Sequence, residues 1–366
     1  MRVDYNVKEI YYQFNARGNF YSAQVYGSGH INDTYLIKTS CIEDPDYILR
    51  KINRYVFKDP PAILRNIAEI TGHLKKKKRQ KNLDETGLQY ILQLIPTPLG
   101  NYYYKDPNND YWSLLYFIPQ SKTLERVENT DQAFEGGKAF GNFIRYLNDF
   151  PVYKLHISIP YFHNLGKRIQ WLEESIQQAS ENKMRKAREL IPYILERKEK
   201  MNALATAGKE GEIPVRVTHN DTKFNNLLLD QFNRVISIID LDTVMPGYVH
   251  YDYGDALRTI ANTGKEDEQD LKNIAFNQSF FEAFTRGYLN RTLDILTAKE
   301  KEFLPLAPLV MTYNQCIRFL TDYLQGDPYY KTDHPEHNLQ RTRAQLFLYK
   351  SMEQAEPIIQ NFIHSS

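Results

Sequence analysis

The chain has 366 residues, with 46 Lys and Arg against 45 Asp and Glu, a net charge of +1. That length can bury a large core and form two lobes, while the balanced charge offers no global field for nucleic acid or an anionic membrane. The two cysteines, Cys41 and Cys316, have neither metal-binding nor redox spacing and fit a reducing compartment.

The first residues lack an apolar signal region, and no apolar run approaches a membrane span, so a soluble cytoplasmic protein is expected. The basic run at 75–81 reads as a solvated helix end or loop, without the aromatics and overall charge of a nucleic-acid patch. The 27 tyrosines belong by default to core and amphipathic surface.

In chain order, residues 6–16 read as a short helix and residues 21–26, 34–38 and 47–52 as strands. A glycine-bearing turn, 27–33, separates the first two strands. Gly27 and Gly29 would let backbone N–H groups approach phosphate oxygens, although glycine is also ordinary in a hairpin turn. On the third strand Arg50 and Lys51 point to opposite faces. Parity with Ile48 and Ile52 favours Arg50 as the cation facing a nucleotide.

Residues 59–74 open with Asp59 and Pro60 and continue with helical periodicity. Glu69 there either pairs with Arg50 or stands in solvent. Two further strands are expected near 88–94 and 112–117. From Thr123 onward the pattern is mostly helical, as in 182–202, with a single hairpin interrupting it. The order predicts an α+β protein with a small antiparallel β lobe, 1–118, and a larger helical lobe, 119–366. The join falls near 117–120, placing Phe117 beside whatever small molecule occupies the cleft.

The hairpin carries the most informative pattern. His219-x-Asp221 is followed by Asn226, then by apolar runs at 227–229 and 235–239, and then by Asp240. The spacing is that of a kinase catalytic loop. If the two runs pair, Asn226 and Asp240 lie beside each other at the open end, an amide oxygen next to a carboxylate. Such oxygen donors suit a Mg²⁺ that bridges nucleotide phosphates. Asp221 can then accept the proton of an attacking hydroxyl. The alternative is a plain hairpin with Asp and Asn at its turns, which leaves the joint order unexplained. Downstream, Asp242 is a second metal contact or an outer acceptor. Asp255 caps a helix or accepts hydrogen bonds from the catalytic loop.

These residues resemble the aminoglycoside phosphotransferase/choline kinase superfamily, which has a protein-kinase-like fold, and within it the N-acetylhexosamine 1-kinases. The resemblance covers nearly the whole chain. It is carried by segments 26–35, 47–53, 216–226 and 239–247, and by the C-terminal segments 318–327 and 335–343, which are not general kinase motifs. It implies ATP-dependent phosphorylation of the anomeric hydroxyl of GlcNAc or GalNAc, with Asp221 as base and Asn226 and Asp240 as Mg²⁺ ligands. It also implies that His30 and Arg318 line the sugar pocket. Thr259 and Ile260 stand where the acetylhexosamine kinases lead one to expect an aromatic. Other acceptors stay open: a plain hexose, choline, an amino alcohol or an aminoglycoside. So does a catalytically silent nucleotide-binding protein.

Overall fold

The computed structural model describes residues 5–27, 31–80 and 87–365. A five-residue helix, α1 (Val7–Tyr11), is capped by Asn6, whose side chain accepts from the Glu9 N–H at 3.2 Å. The sequence pattern had extended it to residue 16, but the chain turns off after Tyr12 and crosses to Pro96, whose carbonyl accepts from the Asn15 N–H. Then come β1 (Phe20–Val25), β2 (Asp33–Thr39) and β3 (Tyr47–Ile52), an antiparallel meander. After helix α2 (Pro60–Gln80), strands β4 (Leu94–Ile95), β5 (Tyr104–Lys105) and β6 (Tyr111–Tyr116) complete a sheet of order β1-β2-β3-β6-β4, with β5 also on β6.

Alternation along β3 decides what each face does. Tyr47 and Leu49 are buried with Ile37, Trp112, Leu114 and the α1 residues Ile10 and Tyr11. Lys51, on that same face, ends in an ion pair with Asp33 at 3.1 Å. Arg50 therefore faces the other way, toward the second lobe.

The strand expected at 88–94 forms only at Leu94–Ile95. Leu88 is spent on the main core, and the Tyr90 N–H donates to Ile236 O at 2.8 Å, so this run bridges the lobes instead of joining the sheet. Glu69 is exposed on α2 and forms no pair with Arg50. The inward residue of that helix is Asn66, which donates to the carbonyls of His156 and Val244 at 2.8 and 3.0 Å.

The larger lobe begins with α3 (Thr130–Leu147) and α4 (Leu165–Gln178). The helical pattern at 182–202 is broken into α5 (Glu181–Ala187), α6 (Leu190–Glu196) and α7 (Lys198–Lys209). Pro192 accounts for the first break: it lacks an N–H and its ring would strike the carbonyl four residues earlier, so the helix restarts just before it. Next come β7 (Arg216–Thr218), the hairpin β8 (Leu227–Leu229) and β9 (Val235–Ile238), and β10 (Met245–Gly247). The hairpin is not the sole β structure of this lobe, because β10 returns antiparallel to β7. The remaining helices are α8 (Val249–Ile260), α9 (Gln278–Thr292), α10 (Ala298–Phe303), α11 (Ala307–Gln325), α12 (His337–Gln354) and α13 (Glu356–Ser365).

One core joins α2, the hairpin and the helices. At its closest approach, α3 and α9 meet backbone to backbone through glycines. A Cβ on Gly137 would strike the Phe284 carbonyl, and one on Gly287 the Phe134 carbonyl. Alanine would gain about 1 kcal/mol in helix propensity but must push two packed helices apart, at about 1–3 kcal/mol or more. Gly137→Ala is therefore expected to lower stability by about 2 kcal/mol in denaturant unfolding. A midpoint equal to or above that of the parent would show that the helices can separate freely.

Candidate active site

The loop 219–226 is fixed from beneath by one buried carboxylate. Asp252, on the first turn of α8, accepts from the backbone N–H of His219 at 2.8 Å and of Asn220 at 2.7 Å. Its own carbonyl accepts from the Thr222 hydroxyl at 2.6 Å. Burial pushes the Asp252 carboxyl up to about 6, while the two amides favour its charged form. The sequence reading gave this loop-holding role to Asp255. Asp255 instead lies inside α8, where it neither caps a helix start nor meets the loop; it holds Arg258 at 2.9 Å.

His219 is a structural member of the loop. One ring nitrogen, Nε2, bonds Ile239 O at 2.9 Å and the other, Nδ1, meets the Asp221 N–H at 3.3 Å, which fixes the orientation of the ring. Asn220 takes the left-handed conformation, φ 66°. Its side chain donates to Thr218 O at 3.1 Å and Thr243 O at 3.0 Å. Together these bonds aim the Asp221 side chain out of the loop.

Around Asp221 the geometry is well determined. Asn226 Nδ2 donates to the Asp221 carbonyl at 2.8 Å and to its carboxylate at 3.1 Å. The amide is thereby oriented, and its Oδ1 accepts no hydrogen bond among the described residues. Lys223 Nζ sits 3.3 Å from the other carboxylate oxygen. Burial acts to raise the Asp221 carboxyl, but the opposing charges of the site, Lys223 first among them, outweigh it and hold the group below the usual carboxylate range.

The hairpin pairs as its pattern requires, Leu227 opposite Ile238, with the Ile239 N–H donating to Asn226 O at 2.9 Å. Asn226 and Asp240 thus flank its open end. Asp240 is left-handed, φ 57°, so the strand stops there and does not run on to Asp242. Asp242 occupies the following 3-10 turn, almost wholly buried. There it receives a two-pronged bond from Arg50, one prong at 3.0 Å, and a bond from Asn32 Nδ2 at 2.7 Å. Arg50 also reaches Asp240, at 3.4 Å. Desolvation and the neighbouring Asp242 and Asp221 carboxylates drive Asp240 up to about 7, with Arg50 opposing them, although 44% of its side chain meets solvent in the cleft. An added cation there would relieve that repulsion.

On the nucleotide side of the sequence reading, Gly27 follows β1 with φ 81° and nothing near the position of a Cβ. Gly29 and His30 lie outside the described residues. Phe117 follows β6, packing edge-on to Tyr26 at 5.9 Å with Lys38 over its ring.

Arg318, on α11, packs on Phe162, whose neighbour His163 bonds the carbonyl of Asn220, the residue before Asp221. Its guanidinium stands 4.8 Å from the Phe162 ring and 5.5 and 6.0 Å from Tyr330 and Tyr329. Gln315 links it to Tyr330, accepting from Arg318 at 3.0 Å and donating to the phenol at 3.4 Å. The two C-terminal motifs build this wall. Asp322 accepts from the N–H groups of Tyr329 and Tyr330 at 2.9 and 3.0 Å, and Asn338 ties Asp322 to Asp327 with two 2.9 Å bonds. The aromatic surface therefore comes from Phe162 and the 329–330 loop, while Ile260, at the end of α8, is buried in the core.

Sequence reasoning missed four participants. Lys223 stood in the quoted motif, two residues after Asp221, and had no role assigned. Asp252 is distinguished from Asp255 only by helix phase. His163 donates from Nε2 to Asn220 O at 2.9 Å and is kept neutral by burial, its pKa pushed down to about 3. Arg168 approaches the same Phe162, its guanidinium donating to the Phe162 carbonyl. Neither of these last two carries a local motif.

A profile described as the phosphotransferase enzyme family matches residues 22–298, well over half of the chain, and the chain belongs to that family. Solved structures show the same fold. An aminoglycoside phosphotransferase from Alicyclobacillus acidocaldarius aligns with TM-score 0.68 at 11% identity over 100% of this chain and 98% of its own. A microcompartment-associated aminopropanol kinase gives 0.64 at 16%, over 97% and 98%. An amicoumacin kinase, in complex with AMP-PNP, Ca²⁺ and its antibiotic, gives 0.61 at 13%, over 96% and 94%. The architecture is the two-lobe, protein-kinase-like one, with an antiparallel sheet lobe and a larger helical lobe.

Replacing Asp252 by Ala leaves two buried N–H donors unpaired, at about 1–3 kcal/mol each. The expected result is faster amide hydrogen exchange at His219 and Asn220 together with a lower melting temperature. Unchanged exchange at both amides would mean that the loop is held by other contacts.

Proposed function

We propose that this phosphotransferase is an ATP-dependent kinase of a small alcohol, and that the alcohol is an N-acetylhexosamine phosphorylated on its anomeric hydroxyl. The observation that carries the reading is the Asp221 carboxylate, oriented by Asn226 and paired with Lys223. Kinase catalysis is mostly positioning and charge stabilisation. Asp221, held ionised, accepts the hydrogen bond of the hydroxyl and takes its proton as the new O–P bond forms and ADP departs. An anomeric hydroxyl is more acidic than an ordinary alcohol, which suits a base of low pKa. Lys223 is placed to offset charge on the phosphoryl group.

On the nucleotide side, the proposed contacts are Gly27, Gly29, Arg50 and Phe117, in a cleft between lobes 1–118 and 119–366. Asn226 and Asp240 fit a Mg²⁺: one offers an uncommitted amide oxygen, the other a carboxylate open to the cleft. Among the described residues no three His, Cys, Asp or Glu gather into a metal cluster, so nucleotide phosphates and water would complete the shell. When bound, the ion neutralises phosphate charge.

On the acceptor side, His30 and Arg318 are the proposed sugar contacts beside Asp221. Choline would need an open aromatic cage. Here the rings of Phe162, Tyr329 and Tyr330 already surround the protein's own guanidinium, which favours a hydroxyl-rich, uncharged acceptor. No helix among the described residues is long and apolar enough to cross a membrane, and a cytoplasmic location is part of the proposal.

Asp221→Asn keeps the size and loses the proton acceptor. ADP release is expected to fall by about 10²–10⁴-fold, while nucleotide affinity measured by calorimetry stays close to that of the parent. Near-parental turnover in this variant would remove the catalytic assignment.

A further inference from the structure

Arg168 reaches the Phe162 side of the Arg318 wall from a different helix. It comes from the first turn of α4, lies over Trp171 at 5.0 Å, and donates to the Phe162 carbonyl from Nε and Nη2 at 3.3 and 3.1 Å. Arg318 packs on the ring of that same Phe162. The next residue, His163, bonds the Asn220 carbonyl immediately before Asp221. A single short loop therefore connects two guanidiniums to the catalytic loop.

Two like charges brought together normally share a counter-ion. Among the described residues neither Arg168 nor Arg318 has a carboxylate within ion-pair distance. The acids that do act on Arg318 are committed elsewhere. Asp255 is held by Arg258 at 2.9 Å, and Asp322 accepts from two backbone N–H groups and Asn338. Burial and the neighbouring Arg318 push Arg168 down to about 10. Arg168 and Arg318 thus meet at Phe162, one on its carbonyl and one on its ring.

We infer that Arg168 is a specificity-determining residue, which together with Arg318 makes a charge filter admitting uncharged or oxyanion-bearing alcohols and rejecting ammonium-bearing ones. The inference rests on the proposed kinase reading of Asp221 but not on the acceptor being a sugar. Placing like charges against each other costs several kcal/mol in a desolvated site, so the filter should be strong. Several fold relatives are kinases of amines by name, which makes the distinction a functional one for this chain.

The test uses two acceptor pairs: the isosteres choline and 3,3-dimethylbutan-1-ol, which differ only in charge, and glucosamine against glucose at about pH 6, where a protonated amine replaces the 2-hydroxyl. ADP release is read for the parent, Arg168→Gln and Arg168→Lys. The parent should favour the uncharged member by about 100-fold or more in kcat/KM. Arg168→Gln should narrow the ratio to about tenfold, through a lower KM for the charged member, while Arg168→Lys retains the preference. Discrimination in the isosteric pair with no turnover of glucose, glucosamine or GlcNAc would keep the filter and overturn the sugar assignment. A parent that accepts both members equally, or a ratio untouched in Arg168→Gln, would overturn the filter.

Discussion

The structure depends on how three carboxylates are held in one cleft. Burial, and after it the neighbouring Asp242 and Asp221 carboxylates, push Asp240 up to about 7. Two cations from opposite sides offset this repulsion. Arg50 crosses from the sheet lobe to grip Asp242, with Asn32 beside it, and Lys223 pairs with Asp221. A buried pair of this kind contributes less to stability than its Coulomb energy implies, because both ions lose water. Its more evident consequence is geometric: it holds the two lobes at a fixed separation with an acidic floor between them.

The rest of the helical lobe positions that floor. Asp252 supports the catalytic loop, and the β7–β10 pair brings the loop next to the turn that bears Asp242. The acceptor wall is a separate construction. Asp322 and Asn338, sixteen residues apart, fold the 329–330 loop onto Arg318. In the proposed reading, nucleotide-side and acceptor-side chemistry therefore rest on different supports, which would let one fold serve different acceptors.

How much of this was legible in the sequence follows from range. The sheet strands and the hairpin were readable because alternation and spacing are local, and the hairpin's closure brings Asn226 beside Asp240 directly. Arg50 over Lys51 followed from strand parity. What failed depended on tertiary partners. Residues 88–93 are apolar like a strand, but Leu88 is used in the core and Tyr90 bonds Ile236 across the lobes. Asp252 and Asp255 stand three residues apart on one helix, and only the docking of that helix decides which meets the loop. His163 and Arg168 carry no pattern of their own; their meaning comes from contacts with Asn220 and Phe162, distant in sequence or made through the backbone.

The most direct measurement of the central claim is phosphorus NMR of the product formed from ATP with GlcNAc, GalNAc, glucose or galactose. The account predicts a phosphate coupled to the anomeric proton of an N-acetylhexosamine, at a higher rate than for the plain hexoses. Phosphate on any other hydroxyl, or phosphorylation of an amino alcohol with none of the four sugars used, would contradict it.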